Sequence, residues 1–373
     1  MKTKSRITCR LDLLKWESLT VTLPPSHTLS LSKTNAEQGD QKVNHLLNTK
    51  ETSLSLRKLN TMDQIQHKYV DVNGMKLHVA EIGTGPSVVV FLHGFPEIWY
   101  SWRHQMIAVA NAGFRALAPD CRGYGLSDPP PEPEKSSFSD LITDLLAIID
   151  ALSIPKVFLI GKDFGAWPAY QFAILYPKRV LGVVTLGIPC MPPSPPAFHK
   201  QLPEGFYISR WREPGRAEAD FGRLDVKTVV RNIYILFAKS EIPIAEESQE
   251  IMDLVEPSTP LPPWFTEEDL EVYGALYEKS GFRTALQVPY RSFTKGGFEA
   301  PDPKVEAPAL LIMGEKDYVF KFPGMEEYIR NGQVKVYVPK LEITYLPEGT
   351  HFVQEQFPDQ VNQLILTFLG NHS

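Results

Sequence analysis

Cysteine is nearly absent from this chain: Cys9, Cys121 and Cys190 are the only three in 373 residues. Three scattered thiols cannot build a disulfide framework, and none shows the paired spacing of a zinc site. Long apolar runs are missing too. No window reaches the roughly 18 uninterrupted apolar residues of a membrane-spanning helix. The longest candidate, Val180 to Pro189, is strand-sized. Nor is there an excess of positive charge. The 38 basic side chains are outnumbered by 44 acidic ones, a formal charge of −6, which speaks against nucleic acid as the main partner. What remains, 43% apolar and 22% charged residues, suits a large catalytic domain carrying an insertion.

The first 61 residues stand apart, with 10 Lys or Arg against 5 Asp or Glu, 16 Ser or Thr and a single Gly. Such a composition can mark a plastid or mitochondrial transit segment. It equally suits a disordered extension ahead of Met62. Scattered acidic residues, and a clean strand–turn–strand just after Met62, favour the extension. The cytoplasm is then the expected location, with a plastid as the alternative.

From Tyr69 the chain reads as a hairpin whose turn is Asn73-Gly74, flanked by alternating apolar residues. Ser87 to His93 is a continuous apolar strand without polar alternation, as in a parallel sheet covered on both faces. Helical patterns follow at Trp99–Ala112, Phe138–Leu152 and Phe164–Tyr176, alternating with strands at Phe114–Ala118, Val157–Gly161 and Leu181–Leu186. Ser139 and Asp140 are placed to cap or charge the start of the second helix. From about Pro189 to Pro303 the alternation stops, and helical patterns near Val226–Lys239 and Glu267–Lys279 suggest a helical insertion. Alternation resumes with strands at Ala309–Met313 and Glu342–Leu346 and helices at Gly324–Arg330 and Gln360–Leu369. The expected class is α/β: a mostly parallel sheet with helices on both faces, spanning residues 62–373, with a helical lid at about 189–303.

Chemistry concentrates at strand ends. Gly161-Lys162-Asp163-Phe164-Gly165 sits at a strand-to-helix junction and has the form of a nucleophile elbow, with Asp in place of Ser. Flanking glycines permit the sharp turn that lifts Asp163 above the sheet; a plain helix-capping Asp is the alternative reading. His93-Gly94-Phe95-Pro96-Glu97 ends a buried strand, where the Phe95 N–H could join that of Phe164 in a two-donor oxyanion hole. An ordinary βα turn would also account for it. Asp317 ends a late strand, and His351 is the only one of nine histidines between the last strand and the last helix. Nucleophile, acid and histidine thus follow one another as in the α/β-hydrolase triad.

With these motifs the chain resembles the epoxide hydrolases of the α/β-hydrolase superfamily, most closely the soluble plant type. The resemblance runs from about Met62 to Leu369. It is carried by His93-Gly-Phe-Pro96, Arg122-Gly-Tyr-Gly-Leu-Ser127, the Asp elbow, Gly314-Glu-Lys-Asp317 and Gly349-Thr-His351-Phe. It implies that Tyr207 and Tyr290, of 14 tyrosines, hold an epoxide oxygen. It also assigns His93, Gly94, Pro96 and Glu97 to the positioning of substrate and water. Two residues depart from the family pattern: Lys162 and Phe164 stand where His and Trp are common. Any non-proline residue supplies the backbone N–H required of Phe164. Whether Lys162 faces Asp163 or lies behind it is open at this stage.

The implied reaction is attack of the Asp163 carboxylate on an epoxide carbon, then hydrolysis of the ester with His351 as base and Asp317 orienting it. It calls for no metal or organic cofactor. The partner is a small lipophilic epoxide, such as a fatty-acid epoxide, and a homodimer is compatible with the reading. Two other classes compete. A haloalkane or haloacid dehalogenase shares the Asp and His but needs halide-binding donors, which Phe164 and Phe95 side chains lack. A non-catalytic ligand-binding protein of the same fold would have no need of a base.

Overall fold

The computed structural model describes residues 60–191, 202–292 and 303–373. The expected extension at 1–61 lies almost wholly outside these residues, as do two stretches of the expected lid, 192–201 and 293–302.

Eight strands form one sheet in the order β1-β2-β4-β3-β5-β6-β7-β8. The hairpin β1 (Gln66–Val72) and β2 (Met75–Ile82) is antiparallel. Asn73 and Gly74 both have positive φ, 51° and 82°, the requirement of a tight hairpin turn that matches strand twist. β2 also pairs antiparallel with β4 (Arg115–Pro119). The rest is parallel: β3 (Val88–Leu92), β5 (Val157–Lys162), β6 (Val180–Leu186), β7 (Ala309–Gly314) and β8 (Leu341–Leu346).

Every residue of β3, β5 and β7 is buried, which explains their apolar sequences, unbroken except for Lys162 at the end of β5. Their side chains alternate between two cores. Val90, Leu92, Leu159, Leu311 and Met313 belong to one, and Val89, Phe91, Phe158, Ile160, Leu310 and Ile312 to the other. Helices cover both faces. Arg103–Asn111 and Pro358–His372 bury residues in the second core, Phe138–Ala151 and Ala166–Leu175 in the first.

One expected cap is corrected. Ser137, not Ser139, stands at the N-cap of Phe138–Ala151, and Asp140 accepts its backbone N–H at 2.8 Å. Ser139 lies one step inside the helix, where its hydroxyl is past the free amides it would cap.

Between β6 and β7 the described residues are helical, with Tyr207–Arg212, Arg216–Phe221, Val226–Phe237 and Glu267–Ser280 as the main elements. A buried polar junction ties them to the α/β body. Arg103 Nη1 donates to Glu355 at 2.7 Å and Arg103 Nη2 lies 3.0 Å from Asp269. Tyr234 and Tyr273 each donate to Glu355 at 3.2 Å. Burial, with Glu97 and Asp269 nearby, raises the Glu355 carboxyl to about 7 against the opposing pull of Arg103.

A second buried pair fixes the loop after β4. Arg122 makes a bidentate contact to Asp144, at 2.7 and 2.6 Å, with the Arg and Asp side chains 9% and 6% exposed. Arg122→Met strands Asp144 in the interior, and losing one partner of such a pair costs about 3–5 kcal/mol. The urea midpoint should fall accordingly, and Asp144→Leu added to Arg122→Met should recover part of the loss. An unchanged midpoint in the single variant would show that Asp144 finds water or another partner.

Candidate active site

The site is built where β5 runs into its helix. Asp163 has φ of +51°, a conformation that non-glycine residues adopt only when their surroundings enforce it. Those surroundings are tight enough to require glycine on three sides. A Cβ on Gly161 would stand 2.4 Å from the Gly165 carbonyl, one on Gly165 2.1 Å from the Leu92 carbonyl, and one on Gly94 2.4 Å from Asp163 Oδ1. The G-x-D-x-G pattern and the glycine of His93-Gly94 therefore answer to one crowded junction.

The two carboxylate oxygens of Asp163 are used differently. Oδ1 accepts the Phe95 N–H at 3.1 Å, while Oδ2 lies 3.3 Å from His351 Nε2. The Phe164 N–H also hydrogen-bonds this carboxyl. Burial opposes the charge. The bond and charge of His351, the charge of Lys162 and the Phe164 N–H outweigh it and hold Asp163 below the ordinary aspartate range. The Nδ1 of His351 faces Asp317 at 3.0 and 3.1 Å. Burial works against protonation of His351, but the Asp317 carboxylate prevails and raises it above ordinary imidazole.

Tyr207 and Tyr290 come from separate parts of the helical segment and converge here. Tyr207 OH is 3.3 Å from Tyr318 OH. Tyr290 sets its ring edge-on to Phe164, Phe95 and Tyr207, with centroids 5.5, 5.5 and 6.1 Å apart. Burial pushes both phenols well above their usual range, so they stay protonated and can donate. Asp163, Phe164, Trp167, Ile188, Tyr207 and Tyr318 line an apolar cavity of about 60 Å³. A wider hollow of about 620 Å³ abuts it and shares Met191, Phe322 and Met325.

Other residues of the turn act from behind. His93 Nδ1 pairs with the Gly94 carbonyl at 2.9 Å and its Nε2 accepts the Cys121 N–H at 3.0 Å. Both ring nitrogens are thus engaged within the protein, and His93 shapes the turn instead of facing the cavity. The Phe95–Pro96 peptide is cis. Glu97 is fully buried and accepts Gly94 N–H at 3.0 Å and Gln354 Nε2 at 2.6 Å. Lys162 lies behind Asp163, fully buried, its Nζ 3.3 Å from Glu97 Oε1 and 4.6 Å above the Phe352 ring. Sequence reasoning missed Tyr318 and Gln354. Their only signal is adjacency, one residue after Asp317 and three after His351. Among the described residues no cluster of His, Cys, Asp and Glu is placed to hold a metal ion.

Residues 87–357 match the α/β hydrolase fold family. Epoxide hydrolase 3 of Siraitia grosvenorii is 37% identical across 83% of this chain and 99% of its own length. Among solved structures, potato epoxide hydrolase I is similar at a TM-score of 0.75 and 34% identity, covering 82% of this chain and 99% of that one. An epoxide hydrolase of Vigna radiata reaches the same score and identity over 84% and 100%. The chain belongs to the plant-type epoxide hydrolase family of the α/β-hydrolase fold. Bifunctional epoxide hydrolase 2 of Mus musculus, 33% identical, is matched over only 56% of its length.

The Gly94 gap is open to a direct test. Gly94→Ala places a methyl group against Asp163 Oδ1, and overpacking of this kind costs about 1–3 kcal/mol. The unfolding free energy from urea titration should drop by that amount and any turnover through Asp163 should be lost. A variant that keeps both would mean that the carboxylate can step aside freely.

Proposed function

We propose that this protein hydrolyses lipophilic epoxides, fatty-acid epoxides among them, to vicinal diols through a covalent ester on Asp163. One observation supports this above the rest: a buried carboxylate hydrogen-bonded to the Phe95 N–H and beside His351 Nε2, in a cavity that Tyr207 lines and with Tyr290 packed edge-on to Phe95 and Phe164. An epoxide is a strained electrophile with a poor leaving oxygen, so it needs both an anion and an acid. Asp163 Oδ2 would attack a ring carbon while Tyr207 and Tyr290 donate to the departing oxygen, one yielding its proton to the alkoxide.

The ester left behind has Oδ1 as its carbonyl oxygen, already on the Phe95 N–H at 3.1 Å. Water would add to the ester carbon and give a proton to His351 Nε2. Negative charge developing on Oδ1 would be met by the Phe95 and Phe164 N–H groups. Collapse would break the bond from the Asp163 carbon to Oδ2. The diol leaves with the former Oδ2 and takes the proton from His351; Asp163 keeps an oxygen from water, and the second proton of that water passes from it to the tyrosinate, restoring carboxylate and phenol together. Glu97 serves to hold that water, and the helical segment between β6 and β7 serves as a lid over the cavity. No metal or organic cofactor takes part. The cytoplasm is the proposed location; N-terminal sequencing of the mature protein would reveal processing of residues 1–61 if they instead direct import into a plastid.

Styrene oxide and a chloroalkane assayed side by side, for diol and for chloride, test the activity. Diol without chloride is expected. Chloride release would favour a dehalogenase, and neither product a binding protein. With His351→Gln, intact-mass spectra should show the protein carrying one substrate mass, because alkylation proceeds and hydrolysis stops. No adduct, with substrate binding demonstrated, would remove His351 from the hydrolytic step.

The phenols are tested one step earlier. Tyr207→Phe or Tyr290→Phe should slow single-turnover alkylation, each donor to such an oxyanion being worth about 2.7–4 kcal/mol unless its partner compensates. The double variant should nearly abolish alkylation; a wild-type rate there would reduce both tyrosines to space-filling.

A further inference from the structure

Lys162 is the last residue of β5, next to Asp163 and fully buried. Taking an ammonium out of water is costly, and apolar residues fill such space better. The partners of Lys162 are unusual as well. Its Nζ lies 3.3 Å from Glu97 Oε1 and over the Phe352 ring, yet makes no directed hydrogen bond. Beside it, the Oε1 of Gln354 is likewise buried and without a hydrogen bond. A donor and an acceptor are thus both unsatisfied around the one carboxylate, an arrangement that suits a water held among them.

Glu97 is where three chain segments meet. Its Oε2 takes the N–H of Gly94, the residue before the oxyanion donor Phe95. Its Oε1 takes Gln354, in the helix that begins two residues after His351. Lys162 supplies the third side, from the strand that ends in Asp163. We propose that Lys162, through its buried ion pair with Glu97, is a positioning residue for the water that hydrolyses the Asp163 ester. The proposal rests on the two-step reaction described above. Lys162 forms and breaks no bond itself: the water proton goes to His351, and the Asp163 carbon–Oδ2 bond is the one that breaks.

Charge gives Lys162 a second effect on the same step. The charged groups acting on His351 are Asp317, Asp163 and Lys162, with the Tyr318 ring 4.8 Å away. The net shift is upward, but Lys162 acts downward. Removing it lets His351 hold its proton to higher pH, so the acidic limb of ester hydrolysis should move upward. A residue that only filled space would leave that limb in place.

Single-turnover measurements with styrene oxide, following the Asp163 ester by quenched intact mass, separate the two steps. Lys162→Met should slow alkylation far less than hydrolysis, because His351 and the Phe164 N–H still hold Asp163 ionised, and should hydrolyse the ester about tenfold or more slowly, below the roughly 10²–10⁴-fold that a positioned general base itself supplies. Its ester should accumulate and its hydrolysis limb shift to higher pH. Lys162→Met combined with Glu97→Gln leaves no lone buried charge and guards against a misfolded single variant. At pH above the shifted acidic limb its hydrolysis should be no slower than that of Glu97→Gln alone, because Lys162 positions the water through Glu97. Unchanged hydrolysis with an unmoved limb, or equal slowing of both steps, would overturn the role of Lys162. Absence of any ester in the wild-type protein and in His351→Gln would overturn the two-step reading itself, and this inference with it.

Discussion

The close approach of three backbones at the end of β5 is the constraint on which the site depends. Gly161, Gly165 and Gly94 leave no room for a Cβ, and Asp163 is held at φ +51° in the gap between them. Such a conformation costs on the order of 1–3 kcal/mol and persists only where neighbours over-determine it. Here the neighbours are also the hydrogen-bond partners of the carboxylate: the Phe95 and Phe164 N–H groups and His351. The strain and the orientation of the carboxylate have the same cause.

Much of this was legible in the sequence, for physical reasons that differ from element to element. The parallel strands declare themselves because burial on both faces removes polar alternation, as in Val88–Leu92. Asn73-Gly74 declares the hairpin because few residue pairs tolerate two positive φ values. The elbow and the order Asp163, Asp317, His351 follow from strand ends, which periodicity locates well. Ser137 escaped attention because Ser139, two residues on, offered a competing cap. What stayed hidden depends on distant side chains meeting. Arg103 and Glu355 are 252 positions apart, and Tyr207 and Tyr318 are 111 apart. No local pattern encodes such encounters. Tyr207 and Tyr290 were reached only through resemblance, and the location of Lys162 needed the fold.

The junction of Arg103, Glu355, Asp269, Tyr234 and Tyr273 links two otherwise separate parts of the site. Glu355 follows His351 by four residues, while Tyr234 and Tyr273 lie in the helices Val226–Phe237 and Glu267–Ser280. Helices that carry no catalytic group are therefore bound to the loop that carries the histidine. Removing any one member leaves buried polar groups unpaired, so these two helices and the His351 loop hold their relative position together.

The contact between Asp163 Oδ2 and His351 Nε2, 3.3 Å long, has a consequence for the order of events. In the resting site the carboxylate helps His351 keep a proton. In the proposed cycle, ester formation erases the Asp163 charge. The imidazole then answers to Asp317 alone among nearby anions, with Lys162 opposing it. Its hold on the proton weakens at the moment a base is first required. In that cycle alkylation works as an electrostatic trigger for the base, and the switch needs no moving part.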